Sequence, residues 1–150
     1  MENLSASTNQ VGWKAKYIRT DGYISGAVYP VVTVISSNDE LKQYYEKYSE
    51  KYDFSSRSNA YLGTSIGFID GIEHYSDTFF AESFLVLVLL EEGSGAIRHK
   101  VESVEENGDI VISRLLPEMG TADMAQWHII IELDKTYYSA PFFVKTLYFW

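Results

Sequence analysis

Ser65 sits in the one stretch that fits a catalytic signature: Gly63-Thr64-Ser65-Ile66-Gly67 matches the G-x-S-x-G turn of serine hydrolases. That chemistry needs a strand running into the serine and a helix leaving it, so that the hydroxyl stands exposed on a strained turn. Residues 55–60 ahead of it are polar and loop-like, and Asp70 and Gly71 behind it are turn formers. A hydrolase using Ser65 is therefore the last-ranked reading. The histidines are His74, His99 and His128. A triad requires one of them beside the serine and an acidic residue to orient it, and no pair has the close spacing of a zinc site. His99 shares an alternating face with Ile97 and Val101 and is expected as a hydrogen-bonded core position. His128, on the face opposite Trp127, is expected to be solvated or at the boundary. The carboxylates gather in turns and at strand ends, as at Glu91, Glu92, Glu105, Glu106, Asp109 and Asp123, and none falls into a calcium-loop series. No metal and no cofactor is expected. Gly93-Ser94-Gly95 is the tightest glycine cluster. A phosphate cradle would need a helix to follow it, whereas an alternating strand follows, so the expectation is a hairpin loop between Leu90 and Ile97.

The elements that position these residues read as mostly strand. Trp13, Ala15 and Tyr17 alternate with Lys14, Lys16 and Ile18, which is strand period, and Asp21-Gly22 marks a turn. Residues 28–35 are rich in β-branched side chains and predict a buried strand. Ser37 with Glu40 forms a capping box, and Leu41, Tyr44, Tyr45 and Tyr48 follow at helical spacing, which predicts a helix over 38–51. Residues 52–75 hold glycines and serines that break every period, and a stretch of that length is expected to be a functional or mobile loop. Asp77 is expected to cap a short helix running to about residue 83. Residues 84–90 are apolar without alternation, as in a central strand covered on both faces. A meander follows: 97–104, the Asn107-Gly108 hairpin turn, 110–116, a loop over 117–124, a strand over 126–133 with Trp127, Ile129, Ile131 and Leu133 on one face, and a last strand over 141–150. Short turns between consecutive strands imply antiparallel pairing. The predicted class is mainly β (α+β): an antiparallel β-sandwich or open barrel of about seven strands with two covering helices. Residues 1–10 read as a flexible polar leader and 11–150 as a single β-rich domain.

Composition narrows the function classes. In 150 residues there are 12 basic and 21 acidic side chains, a net charge of −9, which argues against nucleic acid and anionic membrane surfaces. There is no cysteine, hence no disulfide framework and no thiolate chemistry. The longest apolar run, 84–90, is far short of the ~20 residues that span a bilayer as a helix. Absent cysteine and abundant tyrosine lean towards an exported bacterial protein. The chain is expected in the cell envelope or secreted if a leader has been removed, and in the cytoplasm otherwise.

The C-terminal half carries a resemblance. Residues Phe79-Phe80-Ala81-Glu82-Ser83-Phe84-Leu85-Val86-Leu87-Val88 read as a helix leading into a hydrophobic strand. They are followed by Gly93-Ser94-Gly95, an alternating strand, Asn107-Gly108, a second strand and a closing strand. This series resembles the PrcB C-terminal-like domain family. Where the family's loop usually reads Pro-Thr-Gly-Gly-Tyr, this chain has Glu92-Gly93-Ser94-Gly95-Ala96. The resemblance implies a non-enzymatic, extracytoplasmic binding or scaffolding module that associates with a surface or secreted protease. The expected binding residues are Tyr61, Gly93, Ser94, Gly95 and Trp127, although Trp127 reads first as core. The alternative is a loop-mediated protease inhibitor on an Ig-like sandwich, with Gly93-Ser94-Gly95 entering a cleft.

Overall fold

The computed structural model describes residues 13–55 and 67–149, so the leader, Tyr61 and Ser65 lie outside the described residues. Seven strands and three helices are found among those described: β1 (Trp13–Arg19), β2 (Val31–Ile35), α1 (Asn38–Tyr48), α2 (Phe68–Ile72), α3 (Asp77–Glu82), β3 (Ser83–Glu92), β4 (Arg98–Val104), β5 (Asp109–Leu115), β6 (Ala125–Asp134) and β7 (Phe143–Phe149). They make a mainly β sandwich. A four-stranded sheet, in the order β1-β6-β3-β2, is antiparallel throughout. A three-stranded sheet, in the order β4-β5-β7, has an antiparallel β4–β5 pair and a parallel β5–β7 pair.

The expected meander therefore holds only at β4–β5, where Gly108 takes φ 98° in the turn. Every other connection in the C-terminal half changes sheet, and the chain returns to β5 from the direction that makes β7 parallel. The loop over 93–97 is accordingly a crossing between sheets, not the hairpin loop expected from its glycines.

Unbroken hydrophobicity in β3 has a direct cause. Phe84, Val86, Val88 and Leu90 face the three-stranded sheet, and Leu85, Leu87 and Leu89 face the helices; all are buried. Each large aliphatic side chain sealed this way contributes about 1.5–3 kcal/mol relative to exposure. The four-stranded sheet thus separates two cores, giving three layers. Helix α1 starts where the capping box predicts, with the Glu40 amide donating to Ser37 Oγ at 3.1 Å and the Ser36 amide donating to Glu40 Oε1 at 2.6 Å. It buries Leu41, Tyr44 and Tyr48, one stripe of a helix. Helix α2 lies inside the stretch read as loop, with Phe68 buried at its start. Ser76, not Asp77, occupies the cap position of α3.

Candidate functional site

One end of the sandwich gathers the glycine cluster and its neighbours. The register pairs Arg19 with Trp127 and Glu92 with Ala125, and Arg98 with Leu115, so three loops emerge together: 20–30, 93–97 and 116–124. They are tied to one another. The Arg19 guanidinium donates to Asp21 at 2.9 Å and to Asp123 at 2.8 Å. Asp123 also accepts the Gly95 amide at 3.2 Å, and Asp21 accepts the Gln126 amide at 3.0 Å. The Gly22 amide donates to Gln126 Oε1 at 2.9 Å, and the Gln126 amide group donates to Glu91 at 2.9 Å. The Thr121 hydroxyl, the Arg19 guanidinium and the Gly95 N–H together hold the Asp123 carboxyl well below the usual carboxylate range. A Cβ at position 95 would meet the ends of the Arg19 and Asp123 side chains, which would have to shift to admit it.

The expected binding residues fall into place unevenly. Gly93 is exposed. Ser94 is spent inside the loop cluster: its Oγ accepts the Thr121 amide at 2.8 Å and the Ala96 amide at 3.2 Å and lies 3.0 Å from Thr121 Oγ1. Gly95 is buried. Trp127 is 4% exposed and belongs to the core, as its alternation with Ile129 and Ile131 allows. The structure does bring Gly95 and Trp127 together, through Arg98, whose guanidinium donates to the Gly95 carbonyl at 2.8 Å and sits 5.7 Å from the Trp127 ring centroid. What the sequence reading missed is the apolar display at the loop tips: Tyr23 is 70% exposed, Val28 82%, Met119 85% and Met124 55%. The available signal was large apolar residues inside turn-rich stretches.

Beneath this end lies a buried ionic cluster. Glu92 Oε2 is 2.7 Å from His99 Nε2 and 2.8 Å from Arg114 Nε, and Arg114 donates to the Tyr148 hydroxyl at 2.8 Å. These bonds join β3 to β4 and β5 across the sandwich. The His99 side chain has no exposed surface and that of Glu92 has 3%, so a substrate cannot reach the pair. His99 is the hydrogen-bonded core histidine expected from its alternation.

His128 departs from expectation. It is fully buried between the four-stranded sheet and the helices, not at a boundary. Its Nδ1 lies 2.7 Å from Thr20 Oγ1 and its Nε2 2.6 Å from the Tyr44 hydroxyl, with Phe54 and Phe68 edge-on to the ring. Burial pulls its pKa down to about 3.

His74, the histidine nearest Ser65 in sequence, is engaged elsewhere. The Lys16 ammonium donates to His74 Nε2 at 3.0 Å and to the Gly71 carbonyl at 2.9 Å, and lies 3.7 Å from Glu132, which accepts the Tyr75 hydroxyl at 2.7 Å. Burial holds Lys16 below the ordinary lysine range. The cluster fastens α2 to β1. The surface also carries an acidic hollow of about 640 Å³ at the β4–β5 hairpin and a groove of about 460 Å³ between α1 and α2 lined by Leu41, Tyr45, Ile69 and Ile72. Among the described residues no group of three His, Asp or Glu is placed to hold a metal ion, and no helix is long and apolar enough to cross a membrane.

Fold and site together define a β-sandwich with a cross-braced loop face at one end. No protein-family model, no curated protein and no solved structure matches the chain.

Proposed function

We propose that the chain is a non-enzymatic binding module that works outside the cytoplasm and holds a protein partner with the loop end of its sandwich. The observation that carries this reading is the pairing of rigidity with apolar display. Three loops are fixed by charged and backbone hydrogen bonds, and Tyr23, Val28, Met119 and Met124 project from them. Apolar side chains held out on pre-ordered loops lose little further entropy on association, and methionine adapts to an irregular partner surface. The buried titratable groups support a non-enzymatic role, since the Glu92–His99 pair is sealed and the hydroxyl of Ser94 is already bonded. The resemblance to the PrcB C-terminal-like family makes a surface or secreted protease the partner class.

The test compares wild type with a Tyr23→Ser, Met119→Ser, Met124→Ser variant in affinity capture from envelope extract of the source cell, followed by mass spectrometry. Exposed substitutions of this kind change stability by about 0.5 kcal/mol or less each, so the two proteins should melt alike. The expected result is an envelope protein retained by wild type and lost by the variant. Equal retention by both removes the loop end as the binding surface, and no reproducible retention by wild type removes the module reading itself.

A further inference from the structure

Lys16 is half-buried, whereas every other lysine of the chain is exposed. Its ammonium stands between β1, β6 and the end of α2. It donates to the Gly71 carbonyl at 2.9 Å and to His74 Nε2 at 3.0 Å, and it lies 3.7 Å from Glu132 and 4.5 Å from the centre of the Tyr75 ring. Glu132 is also engaged by the Tyr75 hydroxyl at 2.7 Å. Burial, helped by the charge of Lys14 on the same face of β1, outweighs Glu132 and holds Lys16 below the ordinary lysine range.

An amine nucleophile needs an unprotonated nitrogen, a base to take its proton and an approach for the electrophile. His74 accepts the Lys16 bond through Nε2, so that atom carries a lone pair and can take the proton outright. The ring is exposed and can pass the proton to water. Loss of that proton turns the Lys16 lone pair towards the exposed side of the cluster, while the Gly71 carbonyl still fixes another N–H. A hollow of about 350 Å³ lies alongside, lined by Trp13, Lys14, Phe79, Ser83 and Glu132. Two of its walls reach the amine. Glu132 does so directly, and Phe79 does so through Tyr75, with ring centroids 4.7 Å apart. Lys14, two residues from Lys16 and about 7 Å along the strand, offers a cation to a ligand in that hollow.

We propose that Lys16 is a covalent capture site for a small aldehyde that also carries an anionic group, with His74 as the proton acceptor and Lys14 as the partner of the anion. His74 takes one proton from the ammonium. The freed lone pair bonds to the carbonyl carbon, and the carbonyl oxygen picks up a second proton from the nitrogen. The carbon–oxygen bond then breaks, and the oxygen leaves as water with the proton that His74 held. A protonated imine remains, whose N–H can still donate to the Gly71 carbonyl. The product is an adduct without turnover. The site lies towards the end of β1 remote from the loops and stands or falls independently of the loop end.

The probe is pyridoxal 5′-phosphate, added to the full chain at neutral pH and trapped within minutes by borohydride, with the labelled lysines mapped by peptide mass spectrometry. The expected result is labelling of Lys16 about tenfold faster than of any other lysine. Lys16→Arg keeps the charge and should remove that adduct. His74→Gln keeps an acceptor for the ammonium but no base, and should slow the labelling about fivefold, with free imidazole restoring the rate. Lys14→Gln should slow pyridoxal phosphate about threefold while changing the rate with uncharged benzaldehyde less. Labelling spread evenly over the exposed lysines, or centred on Lys14, overturns the proposal. An unchanged rate in His74→Gln overturns the assignment of the base, and equal slowing of both aldehydes by Lys14→Gln overturns that of the anion.

Discussion

At the residue scale, His128 shows how a buried neutral base couples stability to pH. Its imidazole bonds to two hydroxyls and no carboxylate, so nothing compensates a charge on it. The pKa falls from an ordinary 6.5 to about 3 because burial penalises the protonated form. The unfolded chain then binds one more proton than the folded chain between those values. Stability contributed by this group is complete above pH 6.5 and is lost as pH falls towards 3, at up to about 1.4 kcal/mol per pH unit. His128→Leu removes that dependence and strands the Thr20 and Tyr44 hydroxyls, costing about 2–4 kcal/mol at neutral pH. Urea unfolding of both proteins from pH 7 down to pH 4 checks this: the gap between them should narrow as pH falls, and a constant gap would show that His128 does not titrate in this way. The burial of His128 was hidden in the sequence for a physical reason. Alternation shows that His128 and Trp127 face opposite ways, but not that α1 and α2 cover the second face.

At the element scale, the β4–β5 hairpin makes the clearest demand. Gly108 has φ 98°, and a Cβ there would press on the Pro141 carbonyl oxygen of the segment leading into β7. Gly108→Ala is expected to cost about 1–3 kcal/mol by combining backbone strain with that contact, read as a lower midpoint in thermal unfolding. An unchanged midpoint would mean that the turn relaxes freely. All seven strands and two of the helices were legible, because β3 announces itself by continuous hydrophobicity, β6 by Trp127, Ile129, Ile131 and Leu133, and α1 by its capping box. Helix α2 was not: it is one short turn with Gly71 inside it, and its order comes from Phe68 packing on Phe54 at 4.0 Å and from the Lys16 bond to the Gly71 carbonyl. Those partners are distant in sequence, and no local periodicity reports them. The parallel partner of β5 was invisible for the same reason. At the loop end, Gly93, Ser94 and Gly95 drew attention by composition, yet Ser94 and Gly95 serve to brace the loops that display Met119 and Met124.

At the scale of the whole molecule, the four-stranded sheet belongs to both cores, since Leu87 and Val88 of one strand face opposite sides. Loss of either core exposes one apolar face of that sheet. The chain should therefore unfold in one transition, with hydrogen-exchange protection in α1 and in β5 lost at the same temperature. Separated midpoints would mean that the helical layer detaches first. The strand order also constrains how the protein can be made. Strand β6 lies between β1 and β3, yet it is synthesised after both. While the ribosome is still adding residues before Ala125, β1 has no neighbour in the finished sheet, and the inner edge of β3 stands open. Vectorial folding from the N-terminus is therefore barred by topology. The nascent chain must hold its most apolar strand unfinished until the centre of the sheet arrives, a window in which shielding by other proteins counts for more than the stability of the completed fold.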